Sequence, residues 1–475
     1  MLEDHIYLDP SLLVPTGDPP PQPPAPDTNE VRRIYFIHGL GNNKSAFSMA
    51  ATACEVGATN FPARKCEVIL PDYSLSLDTL YLAANDVRNK IGNQADIDRE
   101  RGKYNLIAPK PNLLNPARAI IIAHSQGGIV TRELMHLDMV QPGSSGTGHS
   151  TLWDGMNYGG VVTVASPLQG AMILNNRQSI LNMANDACNR IASATIEGEI
   201  PDIVLPFLRN KLNSLIDGAC KFASNTALPE FFFNDHYKKI TKSYSVGAND
   251  INILNQDTNN AQYMAFPKMA FYAVEPQTNI FWRTLNWMVK NPNDTSSFQA
   301  NDDWDLLDSA QKIINNFQAR KESYYAEYQR CNGIYMNTRK IPFPLINLGI
   351  GYIYITKAHA AYSKYLSYRD GLEWFDNVNE SWKDVIGVRT TFVMGERHHV
   401  VKYTDCDGVV LAESAANLPG ATWEPVKIFP NENSSVDINK GSSHMQVRND
   451  EGLREHLDKL FTGNYHPWFK VEKQQ

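Results

Sequence analysis

The chain lacks what several protein classes require. No run of about 18 or more apolar residues occurs in its 475 residues, which argues against a transmembrane helix. The opening MLEDHIYLDPSLLVPTG carries acidic residues where a secretory signal needs a basic stretch and an apolar core. Either such a signal is missing or a mature form is numbered from Met1. Cysteine is sparse: Cys54, Cys66, Cys188, Cys220, Cys331 and Cys406 are too few for a disulfide scaffold and contain no C-x-x-C pair for zinc. Cys54/Cys66 and Cys188/Cys220 stand as candidate bridges beside the alternative of buried free thiols. Basic residues are nowhere concentrated and the net charge is −7, so no nucleic-acid partner is expected. No internal repeat is visible.

What is present suits a large soluble core, with 43% hydrophobic and 20% charged residues. The proline-dense stretch over 14–28 reads as an extended arm, giving an N-terminal arm over 1–30 and a folded region over 31–475. There, short apolar runs end in turn signals: Arg32–Ile37 before His38-Gly39, Lys65–Leu70 before Pro71-Asp72, Ala119–Ala123 before His124-Ser125, and Gly160–Ala165 before Ser166-Pro167. Runs apolar on both faces are the mark of buried parallel strands. Helical patterns between them, such as Ile129, Val130, Leu134 and Leu137, predict an α/β fold with a mostly parallel central sheet. Mainly helical insertions are expected over 172–240 and 276–385, because a strand-like run resumes at Arg389–Met394. A separate second domain is the competing arrangement.

Chemistry is concentrated at Ala123-His124-Ser125-Gln126-Gly127, a G-x-S-x-G elbow with Ala in first place. A serine on a tight strand-to-helix turn needs small residues two before and two after it, and the turn exposes its Oγ. The pentapeptide alone is common; the apolar strand before it and the amphipathic helix after it give it weight. The alternative is a structural serine in a turn. His38-Gly39-Leu40-Gly41-Asn42 ends the first strand. Its Leu40 N–H, with that of Gln126, is placed to bind an oxyanion, each such donor being worth roughly 3–4 kcal/mol. The alternative there is a plain glycine turn.

A serine nucleophile needs a histidine base and a carboxylate to orient it, in chain order Ser, acid, His on this fold. Asp407, in Asp407-Gly408-Val409-Val410, is the favoured acid, with Asp405 and Asp250 as rivals; Asp250 would follow a strand near Val246. The favoured base is His444, 37 residues on (444 − 407), in a small polar loop before a helical pattern. His456 is the rival, inside that helix. The adjacent His398-His399 point to opposite faces of a strand and suggest no metal site.

Ile37-His38-Gly39-Leu40-Gly41 with His124-Ser125-Gln126-Gly127-Gly128 resembles the true lipases of bacteria, within the α/β-hydrolase superfamily. Val164–Ala171, with its S-P-x-x-G, and the D-G-V-V at Asp407 are similar to segments of that family. The resemblance implies an α/β-hydrolase fold, backbone oxyanion donors at Leu40 and Gln126, an acyl ester or lipid substrate and no cofactor. Glu455-His456-Leu457-Asp458 resembles the H-L-D of calcium-binding lipases, but Gln446 stands where those carry an Asp after the catalytic His, which puts calcium in doubt. Larger lipases and phospholipases delivered by type VI secretion carry comparable insertions, so a phospholipase acting as a secreted antibacterial effector is the alternative enzyme reading. An inactive hydrolase-fold binding protein is the non-enzymatic one. The apolar segment Ile341–Ile355 would line an acyl pocket, form an interfacial lid touching a lipid surface, or serve as core of the second insertion.

Overall fold

The computed structural model describes residues 31–40, 44–58, 61–73, 78–101, 118–140, 157–176, 178–180, 182–183, 235–275, 280–281, 284, 300–341, 344–394, 398–428, 444, 447–448 and 451–474. The proline-rich arm, Asn42, Cys188, Cys220, Gln446 and residues 184–234 of the first expected insertion lie outside them.

In chain order the elements are β1 (Arg32–Ile37), α1 (Ser48–Val56), β2 (Cys66–Ile69), α2 (Leu80–Glu100), β3 (Ile120–His124), α3 (Gln126–Val140) and β4 (Gly160–Val164). Then come α4 (Asp235–Tyr244), α5 (Asn249–Gln256), α6 (Ala261–Ala265) and β5 (Lys268–Ala273). The chain closes with α7 (Ala300–Thr338), α8 (Pro344–Val385), β6 (Arg389–Met394), β7 (His398–Tyr403), α9 (Ala412–Ala416), β8 (Val426–Ile428) and α10 (Glu451–Phe461).

Six strands form one sheet in the order β2-β1-β3-β4-β5-β8, every neighbouring pair parallel. The period of two explains why each run had to be apolar throughout. Tyr35, Ile37, Ile121, Ala123 and Val161 pack with α2 and α3 on one face. Ile34, Phe36, Ile120, Ile122 and Val162 pack with α1 and α10 on the other. Each fully buried Ile or Phe there contributes roughly 1.5–3 kcal/mol. The two charged residues opening β1 are buried because they are paired: Arg33 meets Asp98 at 2.5 Å, and Arg32 lies over the Trp468 ring at 4.8 Å. This is the architecture of the α/β-hydrolase fold.

Two expectations change, and between a Cys54–Cys66 bridge and buried free thiols the thiols are found. Arg389–Met394 is a strand, but it pairs antiparallel with β7 in a separate two-stranded ribbon. A partner a few residues on closes a much shorter loop than the distant sheet edge would. The central sheet is completed by β5 and by the three-residue β8. The expected strand near Val246 is not formed: residues 235–244 are helical, and Asp250 lies in the first turn of α5. Cys54 and Cys66 are free, with the Cys66 Sγ–H directed at the Cys54 carbonyl at 3.5 Å, and burial pushes the Cys66 thiol up to about 12.

Candidate active site

Parallel strands present all their carboxyl ends at one edge, and the candidate residues gather there. β1 runs into His38-Gly39-Leu40, β3 into Ser125, and β8 leads towards His444. Asp407 reaches the same edge by a longer route. The chain leaves β5, makes the α7–α8 excursion and returns, and the Glu275 N–H just past β5 donates to the Cys406 carbonyl at 2.7 Å.

Ser125 occupies the turn between β3 and α3 with φ 55°, a left-handed conformation that L residues rarely hold. Its backbone is fixed on both sides: its N–H donates to the Val164 carbonyl at 3.1 Å, and its carbonyl accepts from Gly128 N–H at 3.0 Å. The small neighbours follow from contact. A Cβ on Gly127 would stand 2.5 Å from the His38 carbonyl oxygen, and one on Gly39 would stand 2.7 Å from the Ser125 Cβ. The Leu40 loop therefore passes directly beside the serine. Gln126 is the first residue of α3, so its N–H belongs to the helix end that favours negative charge.

Ser125 Oγ lies 2.8 Å from His444 Nε2, and His444 Nδ1 lies 2.8 Å from Asp407 Oδ2. Asp407 Oδ1 accepts from Val409 N–H at 3.0 Å and Val410 N–H at 2.7 Å, so both carboxylate oxygens are engaged. Since the carboxylate only accepts, the His444 proton sits on Nδ1 and leaves Nε2 as an acceptor for the serine hydroxyl. His444 N–H also donates to the Asp407 carbonyl at 2.8 Å. Both residues are buried, at 3% and 1% exposed.

The rival residues are placed elsewhere. The Asp405 carbonyl accepts from Ala412 N–H, and Asp250 sits on α5. His456 lies within α10, its Nδ1 2.6 Å from the Tyr465 hydroxyl and its ring beside Phe271. His398 and His399 are adjacent in β7. Among the described residues no cluster of His, Cys, Asp and Glu has the make-up of a metal site.

Supporting residues went unread in the sequence. Trp382 of α8 donates its Nε1–H to the Gly408 carbonyl at 2.9 Å and so braces the Asp407 turn. Nothing local in a long helix could have marked it. Tyr73 stacks on His38 at 4.4 Å and donates its hydroxyl to the His38 carbonyl at 2.9 Å, steadying the loop that carries Leu40. The Pro71-Asp72 turn signal pointed to that spot without revealing its use.

His124 is the most consequential of them. Its ring is fully buried, and its Nε2–H donates to the His444 carbonyl at 2.7 Å. Burial holds its pKa well below the ordinary imidazole value, with the neighbouring His444 and Arg448 adding to the effect. The unfolded chain therefore takes up a proton first as pH falls. The contribution of neutral His124 to stability is complete above the unfolded pKa of about 6.5 and is lost below it. His124→Gln keeps an N–H donor of similar reach that cannot be protonated. The stability advantage of wild type over this variant should shrink between pH 7 and pH 5, by at most about 1.4 kcal/mol per pH unit. Denaturant titrations across that range measure it, and a constant difference would mean that His124 is not held neutral.

No protein-family model matches the chain, and no curated protein matches it. Among solved structures it is similar to phospholipase PlaB from Legionella pneumophila, at 11% identity and TM-score 0.28, over 54% of this chain and 41% of that one. The chain thus spans less than half the length of that phospholipase. It is also similar to the mature lipase BlEst2 of Bacillus licheniformis (12%, TM-score 0.27, 59% and 83% covered). An extracellular α/β-hydrolase from a Paenibacillus species is a third (15%, 0.23, 57% and 86%). Likenesses this distant leave the chemistry to the residues themselves.

Proposed function

We propose that this chain is a serine-dependent carboxylic ester hydrolase, lipase-like, that works through an acyl-enzyme on Ser125. The observation that carries the reading is the unbroken relay Ser125 Oγ–His444 Nε2 and His444 Nδ1–Asp407 Oδ2, each link 2.8 Å, with the serine held at φ 55° before α3.

Ser125 Oγ attacks the ester carbonyl carbon as its proton passes to His444 Nε2, and Asp407 stabilises the imidazolium formed. The carbonyl oxygen becomes an oxyanion facing the backbone N–H groups of Leu40 and Gln126. The intermediate collapses, His444 protonates the departing alkoxide, and the acyl group stays on Oγ. Water then attacks with His444 again taking the proton, and the acid leaves as Oγ regains its hydrogen. No step needs a cofactor. The substrate is an acyl ester or lipid; a phospholipase working as a secreted effector is the narrower form of the same reading.

Incubating the native chain with a fluorophosphonate tests the nucleophile directly. Peptide mapping should find the adduct on Ser125, and p-nitrophenyl ester turnover should fall in step with labelling. Release of fatty acid from phosphatidylglycerol or phosphatidylethanolamine would select the phospholipase form. A chain that neither labels nor turns over any ester would be a binding protein on a hydrolase fold.

A further inference from the structure

Among the described residues, the α7–α8 hairpin is joined to the core at one end only. Phe317, Tyr368, Trp374 and Phe375 belong to the main core, and Tyr324 packs against it. From Tyr324 to the end of α7 at Thr338 there are 14 residues (338 − 324), which carry the hairpin about 20 Å further out. Along that arm the helices hold one another. Tyr325 meets Tyr365 at 5.1 Å, Tyr328 meets Tyr362 at 4.9 Å, and Cys331, Ala358 and Ala361 are buried in the seam. Near the tip Gly351 faces Thr338 and Tyr335.

The outward side of the tip is apolar. Leu348 and Tyr352 are each 72% exposed and Ile353 52%, with Met336, Ile341 and Ile350 exposed around them. Ile341, Leu348, Ile350, Tyr352 and Ile353 are therefore not core of the insertion. Such a cluster on the surface of a soluble protein marks a contact to be made. The charges around it are of one sign. Residues 339–357 include Arg339, Lys340 and Lys357 and no acidic residue, in a chain whose net charge is −7. Arg339 lies 5.9 Å from the Tyr335 ring and Lys357 5.8 Å from the Tyr354 ring. An apolar cap ringed by tyrosine and basic side chains matches the layering of a bilayer, with acyl chains beneath aromatic rings and anionic headgroups.

We propose that the tip of the α7–α8 hairpin docks the protein on an anionic lipid bilayer. Leu348, Tyr352 and Ile353 enter the outer acyl layer, and Arg339, Lys340 and Lys357 lie among the headgroup phosphates. Entry stops within one leaflet, since among the described residues no helix is long and apolar enough to cross. A second copy of the chain fits less well, because pairing two tips would bring like-charged collars together.

The assignment is independent of the catalytic reading, and the test uses full-length Ser125→Ala protein so that no lipid is consumed. Flotation is measured with vesicles of phosphatidylcholine alone and of phosphatidylcholine with 30% phosphatidylglycerol (a chosen composition, roughly that of an anionic leaflet). The protein should float with the anionic vesicles, less so as salt rises. Joint Leu348→Asp, Tyr352→Asp and Ile353→Asp should cut partitioning about a hundredfold on both vesicle types. Joint Arg339→Gln, Lys340→Gln and Lys357→Gln should cut it about a hundredfold on anionic vesicles alone, at roughly fivefold per residue. These side chains are exposed, so circular dichroism and melting should match the parent, and the second set serves if the first fails to fold. Parent protein that floats with neither vesicle, or Asp variants that float as well as the parent, would overturn the assignment. So would a parent dimer in light scattering that the Asp variants convert to monomer, which would give the tip to a second copy.

Discussion

Replacing Ser125 with Ala should lower kcat/KM for ester hydrolysis by about a million-fold, while the melting temperature moves little. The change deletes one atom, Oγ, whose partner is His444 Nε2 at 2.8 Å. It leaves the Cβ that the left-handed turn already tolerates, and the backbone bonds to Val164 and Gly128 persist. The proposed oxyanion donors, the backbone N–H groups of Leu40 and Gln126, would survive and retain a residual acceleration over water of roughly a thousandfold or more. Substrate binding, read as inhibition by a non-hydrolysable ether analogue, should be preserved, because Oγ acts mainly in the transition state. Turnover in the variant above roughly a hundredth of wild type would point to a different nucleophile, since a pre-organised serine accounts for far more than that.

The ease of reading this serine, and the difficulty of reading its supports, have the same physical origin. Ile120, Ile121 and Ile122 are apolar in succession because both faces of β3 are covered, and that demand is written into the strand itself. Gly127 of the elbow answers a contact with the neighbouring β1 loop, and the apolar strand before the pentapeptide and the amphipathic helix after it are what single the pattern out. Chain order leaves His444 and His456 in contention, and the small polar loop around His444, against the helical setting of His456, favours His444. Sheet membership is another matter. Arg389–Met394 has the composition of a strand, but composition does not say which strand it joins, and the ribbon with β7 is settled by proximity. β8, three residues long, is too short for any periodicity to show. The Ile341–Ile355 segment reads as apolar whether its side chains face a seam or water; only the pairing of α7 with α8 leaves Leu348 and Tyr352 outward. His124 and Trp382 act through a backbone carbonyl far along the chain, and such contacts leave no local trace.

The carboxylate permits the most discriminating prediction. Asp407→Asn should lower kcat/KM by about ten-thousandfold, whereas Asp405→Asn and Asp250→Asn should change it by no more than a few-fold. The reason lies in how the two Asp407 oxygens are used. Oδ1 accepts two backbone N–H bonds, from Val409 and Val410, so an amide at this position must place its own oxygen there. Its NH2 then faces His444 Nδ1, where the carboxylate oxygen had been at 2.8 Å. A donor meeting a donor is untenable in a buried site, so His444 moves its proton to Nε2. Nε2–H cannot accept the serine proton, and attack stalls although every heavy atom stays in place. Nitrogen-15 chemical shifts of His444 should report the change of tautomer, separating this cause from a shifted loop. Fluorophosphonate labelling of Ser125 should slow by a similar factor, because it relies on the same proton transfer. Were Asp405→Asn the more damaging change, the acid would belong two residues earlier and the 2.8 Å contact at Asp407 would be structural.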